Sequence, residues 1–511
     1  MRFYVSFVGL ETGKNIVMIN PEDASELGVS GGDRIKIQTK RDSIAAIVNV
    51  SKAVKKKSII VSEEVKRLLK LRKNEEVEVT LSLQPEAVKA IKAKIDGKEL
   101  SYKELFEIVK AAVEGSLSEI ELTSFVVSLY ERGLSFEEAS RLSMAMVNVG
   151  ERLKLNKKRI FDKHSIGGIP GDKTTMLVVP IVASAGLTIP KTSSRAITSA
   201  AGTADRVEVL MPVNLSLEEM KEVVEKTNGC MVWGGALHLS PADDIFIQIE
   251  RPLGIDPLLF PSILSKKKAV GATDLVVDIP VGTTVKIPNV EEAYQLAQKF
   301  IKLGGSVGIK VKAAITAGEQ PLGSTIGPAL EAKEALEVIE GKKNAKDLID
   351  KATTIAGILL EMAGKKEGKK LAYNLLKKKA EKKLREIIEA QGGDPKIRSE
   401  DIKIGEKSFD FFAKRSGRIL WFDNYDLAQI ARIAGAPKDK GAGILLYKKL
   451  GESVKEGEKI LSVFSSSSVK LKEAEKYSEE SNFVRIGDYN EMLYKKVEEE
   501  TKKREKFILV R

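Results

Sequence analysis

Cysteine and histidine are almost absent from this sequence. Its 511 residues include 1 cysteine and 2 histidines, and aromatic residues make up only 5%. The single cysteine, Cys230, excludes an internal disulfide and is typical of a reducing compartment, so we expect a cytoplasmic protein. Two distant histidines and one cysteine provide no metal-ligand spacing, and we expect neither a metal nor another cofactor.

Long apolar runs and targeting segments are also missing. The longest apolar stretch, Met176 to Leu187, is interrupted by Pro180 and Ser184. It therefore falls short of the roughly 18 uninterrupted apolar residues that predict a membrane helix. The first residues, Met1 to Gly9, lack the basic and apolar regions of a secretory signal. We expect no membrane segment.

Charged residues are abundant, and the positive ones predominate. Lys and Arg number 84 against 72 Asp and Glu, for a formal net charge of +12. Much of the excess lies in the run Lys365 to Lys383, whose apolar stripe is Leu371, Leu375, Leu376 and Leu384. This pattern favours a solvated helix face, with a nucleic-acid surface as the alternative. The abundance of Lys and Glu is also typical of hyperthermophile proteins.

The first part of the chain changes from strand to helix periodicity. A length of 511 residues predicts about three or four domains. Short alternating segments over 1–84 predict a small barrel-like β domain, with one helix starting at Pro21 after the capping residue Asn20. Helical spacing over 85–155 predicts a helical subdomain. Its last helix is expected over Phe136 to Val149, because Ser135 and Glu138 form a capping box.

The remainder of the chain predicts two further domains. Short apolar runs, among them Val207 to Leu210, alternate with helical stretches over 156–413 and predict an α/β domain with parallel strands. About 240–270 should return to the helical subdomain, with a helix over Leu258 to Val270, so that the active-site cleft lies between the two lobes. Residues 414–511 predict a C-terminal α+β domain. The expected fold class is therefore multidomain α/β.

The most informative segment runs from Asp162 to Thr175. It contains glycines that let backbone amides approach an oxyanion, hydroxyls that donate hydrogen bonds, and lysines that supply positive charge, directly before a predicted helix. These are the ingredients of a phosphate-binding loop, although the spacing is neither that of a P-loop nor that of a dinucleotide fingerprint. A glycine-rich turn with incidental polar residues is the alternative.

A second segment, Thr192 to Asp205, combines small residues, hydroxyls and Arg195. Small residues leave the backbone accessible, and an arginine can bind an oxyanion with two hydrogen bonds. The alternative is a helix cap followed by a small-residue packing face. Together the two segments suggest a site for two anionic groups.

These segments, with Ser262 to Lys267 and Glu319 to Gly323, closely resemble the thymidine and pyrimidine-nucleoside phosphorylase family, which is related to anthranilate phosphoribosyltransferase. The resemblance extends from about Lys89 into the C-terminal domain, with several motifs in the same order. It implies that phosphate is bound by Lys163, Ser165, Gly168, Thr175, Ser193 and Thr203. It places the contacts to the base at Arg251, Ser262 and Lys266.

Two departures from the family pattern concern the sugar pocket and the N-terminus. Nucleoside-specific members carry a glycine-rich run with a second histidine where this chain has Arg195 to Thr203. The N-terminal β domain is an addition. Both features are similar to an archaeal branch that cleaves nucleoside 5′-monophosphates with phosphate, such as AMP to adenine and ribose 1,5-bisphosphate. That branch implies nucleotide ligands at Gly168, Ser194, Arg195, Ala196, Ile197, Thr198, Ser199, Thr203, Ser262, Lys266 and Lys286.

The same branch implies that Asp256 donates the proton to the departing base. A carboxylic acid can keep its proton near neutral pH if burial raises its pKa by up to roughly 3 units. From the residues alone, Asp256 before Pro257 is also a common turn start, and Lys286 is also an ordinary lysine at a strand end. His164 is either a structural histidine or a second catalytic contact, so the source of the proton stays open.

The leading hypothesis is therefore a nucleoside-monophosphate phosphorylase of nucleotide salvage that binds AMP, or CMP or UMP, together with phosphate. A thymidine or pyrimidine-nucleoside phosphorylase is the enzyme alternative, and a basic nucleic-acid-binding or interaction protein is the alternative of another class. We expect no nucleic-acid partner. Because family members are at least dimeric, the resemblance implies a homodimer or larger homo-oligomer, with Leu420, Trp421 and Phe422 as candidates for subunit packing.

Overall fold

The computed structural model describes residues 1–82, 85–196 and 199–488. Its first six strands are β1 (Arg2–Ser6), β2 (Ile16–Ile19), β3 (Arg34–Gln38), β4 (Ser43–Val50), β5 (Ser58–Val61) and β6 (Glu76–Leu81). They form a closed barrel in the order β1-β5-β2-β4-β3-β6. Alternate residues such as Phe3, Val17 and Ile35 fill its interior and are fully buried. The predicted barrel is confirmed.

Two short helices lie in the barrel sequence. Helix α1 (Pro21–Leu27) begins as predicted, because the Asn20 side chain accepts the N–H of Glu22. Helix α2 (Glu63–Leu69) was not predicted. The sequence indicated this helix only through its capping residue Ser62. The apolar run directly before Ser62 forms strand β5 and gives no helical periodicity.

The helical lobe contains α3 (Glu86–Ile95), α4 (Tyr102–Val113), α5 (Glu119–Arg132) and α6 (Phe136–Val149). Helix α6 has the predicted bounds and the predicted Ser135–Glu138 capping box. Helix α10 (Pro241–Leu253) packs into the core of this lobe, and α11 (Leu259–Ala269) packs with α6 in a core that is shared with the α/β lobe. Phe246 of α10 packs on Phe125 of α5 at a ring distance of 5.7 Å in the core of the lobe.

The α/β lobe is built on parallel strands. Its strands are β7 (Phe161–Ser165), β8 (Ile189–Ser193), β9 (Gly229–Trp233), β10 (Asp274–Val281) and β11 (Lys310–Ala317). Strands β11-β10-β7 form one parallel sheet and β8-β9 another, and Phe161 N donates to Thr188 O where the two sheets meet. Its helices are α7 (Thr174–Ser184), α8 (Thr203–Val207), α9 (Leu217–Thr227), α12 (Val290–Ser306), α13 (Pro328–Ile339), α14 (Lys346–Met362), α15 (Gly368–Lys378) and α16 (Ala380–Ala390).

Two sequence expectations for this lobe have different outcomes. The Lys-rich run forms α15 and α16, and Leu375, Leu376 and Leu384 are buried beneath a charged face, as the helix interpretation predicted. The apolar run Val207 to Leu210 forms no strand. It is the end of α8 and the turn after it, because Asp205 caps the start of that helix and sets its direction.

The C-terminal domain is α+β, as expected. It contains β13 (Lys407–Phe412), β14 (Gly417–Phe422), β15 (Gly443–Leu446), β16 (Ser453–Val454), β17 (Lys459–Ser465), β18 (Val484–Gly487), α17 (Asn424–Ile433) and α18 (Ser468–Glu480). The short strand β12 (Thr325–Ile326) of the preceding region joins its sheet in the order β12-β15-β17-β13. Phe422 lies in the core of this domain, so it packs within the chain.

The apolar segment that begins at Met176 forms helix α7, which is buried along its length and contains Pro180. Across the described residues, no helix combines the length and the apolar character needed to cross a membrane.

Candidate active site

The carboxyl ends of the parallel strands carry most of the predicted site residues. Ser165 at the end of β7 pairs in register with Asp278 of β10. The loops that follow β7, β8 and β10 contain the two anion-binding segments and Lys286. The carboxyl edge of a parallel sheet is where ligands bind in open α/β folds, so the topology brings together residues that are far apart in sequence.

A buried network lies beneath the segment 162–175, which is called the first loop below. Ser165 Oγ donates to Asp278 Oδ2 at 2.8 Å, and Thr316 Oγ1 donates to Asp278 Oδ1 at 2.6 Å. Lys351 Nζ lies 2.8 Å from Asp278 Oδ2 and 3.7 Å from Asp172 Oδ2. Burial raises the pKa of Asp172, but the nearby Lys351 and Lys163 outweigh it, and the net pKa is lowered. Asp172 therefore stays charged, and Asp278 is held by three side chains.

The two lysines of this loop differ in their partners. Lys173 Nζ is fully buried and lies 2.6 Å from Glu334 Oε2, while it also donates to the Leu322 carbonyl at 2.9 Å. Within the described ranges, no ion pair or hydrogen bond engages the ammonium of Lys163, which is only 3% exposed. Burial lowers the pKa of Lys163, opposed by Asp172 and Asp278. Lys163 is thus the cation available to an anion.

His164 lies near a second cluster of buried charged residues. Asp162 is fully buried and accepts Lys267 Nζ at 2.8 Å, with Lys191 Nζ at 3.7 Å. Desolvation and the surrounding lysines, led by Lys267 and Lys191, lower the pKa of His164 well below its usual value. His164 is therefore a neutral imidazole at neutral pH.

The segment 192–205, called the second loop below, folds back on itself. Asp205 Oδ2 accepts the N–H groups of Ala196 at 2.6 Å and Gly202 at 2.8 Å. A Cβ on Gly202 would lie 2.4 Å from the Arg195 carbonyl carbon, so glycine is required for this close approach. Arg195 is paired through two hydrogen bonds with Glu208, at 2.7 and 3.0 Å, and lies 5.0 Å over the Trp233 ring. In this structure its guanidinium is therefore engaged by protein groups.

Arg206 connects the two loops. It is 4% exposed and donates to the Ala201 carbonyl at 2.7 Å and to the Asp172 carbonyl. Its Nε lies 3.0 Å from Glu331 Oε2. A buried arginine that donates to two carbonyl groups in this way fixes two backbones relative to each other.

Lys286 meets the first loop from the side of β10. A Cβ on Gly168 would lie 3.0 Å from Lys286 N and 3.1 Å from Val285 Cβ, so the two backbones touch. Gly168 has a φ of +100°, which favours glycine there as well. The Lys286 side chain is exposed, and its charge acts on Asp256 of the opposite lobe. Lys286 therefore lies between the first loop and the helical wall.

Helices α10 and α11 and the turn between them form the side of the site opposite the first loop, called the helical wall below. This wall contributes Asp256, Ser262 and Lys266. Lys266 Nζ lies 2.5 Å from Asp243 Oδ2 and 3.5 Å from Ser262 Oγ. Asp256 follows α10 and is exposed. Desolvation raises the pKa of Asp256; Lys286 opposes the rise and Asp243 adds to it. The net result is a pKa of Asp256 above its ordinary value.

A second carboxyl supports the turn that carries Asp256. Glu250 is 6% exposed, and its Oε1 accepts the N–H of Leu258 at 3.1 Å. Desolvation raises the pKa of Glu250 to about 7, with Asp256 adding to the rise and the Leu258 N–H opposing it. The turn 254–258 is thus closed by a carboxyl that itself titrates near neutral pH.

Sequence-family models divide the chain in the same way. Residues 88–150 match the helical bundle domain of the glycosyl transferase family, and residues 157–389 match its a/b domain. Residues 420–482 match the pyrimidine nucleoside phosphorylase C-terminal domain. Residues 6–80 match a molydopterin dinucleotide binding domain. The barrel interior is filled by buried apolar side chains and leaves no space there for a dinucleotide.

Similar proteins from three organisms bear one name. The AMP phosphorylase of Thermofilum pendens is 46% identical over 488 residues, which cover 95% of each chain. That of Thermococcus sibiricus is 50% identical, covering 93% of this chain and 95% of the relative. That of Thermococcus kodakarensis is 47% identical, covering 95% and 98%. This chain belongs to the AMP phosphorylase family.

Membership of the AMP phosphorylase family makes the chain a glycosyltransferase enzyme of the pentosyltransferase class. A solved structure agrees on the fold. Anthranilate phosphoribosyltransferase from Thermus thermophilus superposes with a TM-score of 0.50 at 21% identity, covering 59% of this chain and 99% of that chain. The family resemblance inferred from the sequence motifs is confirmed.

The structure brings one group of the predicted residues together. Around the sheet edge and the facing helical wall lie Lys163, His164, Ser165, Gly168, Ser262, Lys266, Lys286 and Asp256. Thr175 is buried in the first turn of α7, and Ser193 Oγ donates to the Val232 carbonyl at 3.1 Å. Their assignment as ligands of an AMP phosphorylase family member stays a prediction.

The remaining predicted residues belong to the second loop or the end of α10. The Ser194 carbonyl accepts the N–H of Ala204 at 3.2 Å, Ser199 Oγ donates to the Ala201 carbonyl at 3.2 Å, and Thr203 begins α8. Arg251 is exposed at the end of α10. Ile197 and Thr198 lie outside the described residues. As ligands these residues also remain predictions.

Sequence reasoning missed the groups that support these side chains. They are Asp278, Lys351, Arg206, Asp243 and Glu250, all of them buried, ionisable residues. Asp278 stands 113 residues from the serine that it holds, so no local motif joins them. One usable signal was present: Asp278 is a charged residue inside the apolar run of β10, and a buried charge needs a partner.

Proposed function

We propose that the chain catalyses the phosphorolysis of nucleoside 5′-monophosphates, converting AMP and phosphate into adenine and ribose 1,5-bisphosphate. The observation that carries this proposal is the meeting of three groups: Gly168 of the first loop touches the backbone of Lys286, and Lys286 acts electrostatically on Asp256. A cation there can hold a 5′-phosphate that a nucleoside lacks. The names of the similar proteins support the same substrate.

The reaction breaks the bond between C1′ and the base nitrogen and forms a bond between C1′ and a phosphate oxygen. Positive charge builds on the sugar and negative charge on the departing base. The phosphate, held beside Lys163 and Ser165, attacks C1′ and supplies the electron pair of the new bond. Lys351 and Asp278 keep that side of the cleft fixed.

Asp256 is the group that we assign to the departing base. Its carboxyl proton passes to the base as the glycosidic bond breaks, so the base leaves neutral. His164 is a weaker candidate, because burial and the lysines around it keep the imidazole neutral. Lys266, oriented by Asp243, and Ser262 then contact the base. Closure of the two lobes would exclude water and prevent hydrolysis of the sugar.

The broader setting follows from the same proposal. We place the enzyme in nucleotide salvage in the cytoplasm of a thermophile, where it recovers free base from monophosphates. We propose a homodimer or larger homo-oligomer, which light scattering coupled to size-exclusion chromatography would measure. The basic charge is assigned to solvated helices such as α15 and α16 and to the substrates, without a nucleic-acid partner.

The decisive experiment measures base release from AMP, CMP, UMP, adenosine and thymidine at elevated temperature, with and without inorganic phosphate. Phosphate-dependent release of adenine from AMP and not from adenosine is the expected result, and the order among AMP, CMP and UMP gives the base preference. Release from thymidine alone would make the chain a nucleoside phosphorylase. Absence of release, with salt-sensitive binding to RNA or DNA, would replace the enzyme proposal with a binding function.

A further inference from the structure

The loop that carries Lys286 is held from two sides. On its inner side it touches Gly168 of the first loop. On its outer side it meets the C-terminal domain, which supplies none of the predicted ligands. Trp421 Nε1 donates to Thr283 Oγ1 at 3.2 Å, and Glu319 Oε2 accepts the same hydroxyl at 3.1 Å.

Asn424 makes the most buried of these outer contacts. It is 1% exposed and is the first residue of α17. Its backbone N–H donates to Thr284 Oγ1 at 3.3 Å, and its Nδ2 donates to the Gly318 carbonyl at 2.8 Å. The first N–H groups of a helix have no partner within the helix, so α17 offers this donor without losing one of its own bonds.

The carbonyl that Asn424 holds belongs to the neighbouring loop of the same sheet edge. Gly318 N donates to the Val281 carbonyl at 2.7 Å, and a Cβ on Gly282 would lie 2.9 Å from the Gly318 carbonyl carbon. The ends of β10 and β11 are therefore packed backbone to backbone. A single asparagine fixes both, because it bonds Thr284 in one loop and Gly318 in the other.

We propose that Asn424 is a positioning residue for the 5′-phosphate subsite: it fixes the loop Gly282–Lys286 so that Lys286 faces the cleft. This inference rests on the proposed function for the identity of the substrate. It assigns the C-terminal domain a part in substrate specificity. The lysine itself is exposed, so its placement depends on the rigidity of its loop.

The test replaces the two partners separately. Asn424→Ala removes the bond to Gly318, and Thr284→Val removes the hydroxyl that accepts the α17 N–H. Each should raise KM for AMP roughly tenfold, since an unpaired buried group is left behind. KM for phosphate should change less than about twofold, with kcat nearly unchanged. Thr284→Ser should restore the wild-type value, because it keeps the hydroxyl.

Tyr425→Ala is the matched control, since Tyr425 is the next residue of α17 and is 64% exposed. It should leave both KM values unchanged. Equal rises in KM for AMP and phosphate, or a lower melting temperature with both KM values unchanged, would overturn the positioning role. Either outcome would reduce Asn424 to a residue that stabilises the domain contact.

Amide hydrogen exchange separates this inference from the proposed function. In Thr284→Val the amides of 283–286 should exchange faster, and in Asn424→Ala this should extend from the Gly318 contact to the same loop, while the amides of β7 keep the wild-type rate. This readout needs no substrate. If the wild-type enzyme is inactive on AMP but the loop of the variant exchanges faster, the proposed function is rejected and the positioning role is kept. An active wild type with an unaffected loop would reject the inference alone.

Discussion

The two walls of the cleft treat buried charge in opposite ways. On the α/β wall each buried carboxylate has a close cation: Asp278 lies 2.8 Å from Lys351, and Glu334 lies 2.6 Å from Lys173. Desolvation alone would raise the pKa of Glu334, but Lys173 and a second lysine, Lys343, outweigh it and lower the pKa. Glu334 therefore stays charged, whereas desolvation raises the pKa of the neighbouring Glu331 although Arg206 lies beside it.

On the helical wall, the carboxyls are desolvated with weaker compensation. Partial desolvation raises the pKa values of the exposed Asp244 and Asp256 and of the buried Glu250, while Asp243 has Lys266 as a direct partner. The difference suits the two tasks that the proposed reaction requires. An anion is best held by fixed charges, whereas a proton is best transferred by a group whose pKa lies near the working pH.

Asp256→Asn is expected to have the largest effect on activity. The amide cannot donate the proton to the base, so kcat should fall by about two to four orders of magnitude with little change in KM for AMP. Steady-state kinetics with AMP would measure both. Asp244→Asn is the control, since Asp244 is an exposed carboxyl on the same wall with a raised pKa. Near-wild-type turnover of Asp256→Asn would remove Asp256 from its role.

The same carboxyl sets the direction of the pH dependence. In the proposed reaction Asp256 acts when protonated, and its pKa is raised, so kcat should be high at low pH and fall as the pH rises through that pKa. The Asn variant should lose this limb of the profile. An identical limb in both enzymes would assign it to another group.

Lys163 and Lys173 belong to one loop, so they test the fixed-charge wall. Lys173→Met leaves Glu334 buried with only Lys343 beside it, and should lower the free energy of unfolding by about 3 to 5 kcal/mol. Lys163→Met removes a cation without a close partner, and should change stability by about 1 kcal/mol or less.

Phosphate binding should show the reverse order for these two variants. KM for phosphate should rise at least about tenfold in Lys163→Met, because a charge-assisted contact is lost, and stay near wild type in folded Lys173→Met. Urea unfolding and initial-rate kinetics on both proteins would measure the two quantities. Equal destabilisation with an unchanged KM would make Lys163 a structural lysine.

These two lysines also show the limit of prediction from sequence. The local signals were sufficient for helix α6, for the Asn20 cap and for the barrel, since caps and alternation act over a few residues. The loop motif was found, but which of its lysines is free depends on Glu334, far along the chain. The role of Asn424 depends likewise on contacts to Gly318 and Thr284 that no periodicity reveals.

Lys286→Ala tests how the two walls cooperate. The lysine lies on the α/β wall but acts on Asp256 of the other. KM for AMP should rise about tenfold or more, whereas KM for phosphate should change little, because only the 5′-phosphate loses its cation. Lys312→Ala is the control, since Lys312 is an exposed lysine near the opposite end of β11. Equal weakening of both substrates would discard the 5′-phosphate assignment.

Glu250→Gln tests the helical wall through the free energy of unfolding, and it is expected to have the smallest effect of these variants. Burial raises the pKa of Glu250 from 4.5 to about 7, so the folded protein binds this proton more tightly than the unfolded chain. The contribution to the free energy of unfolding is therefore complete below pH 4.5. It should decline by about 2 kcal/mol, allowing for solvent screening, as the pH rises through 7. Glutamine keeps an acceptor for Leu258 N but does not titrate, so urea unfolding between pH 5 and 8 should show a flatter profile for the variant. Parallel profiles would mean that Glu250 does not titrate in this window.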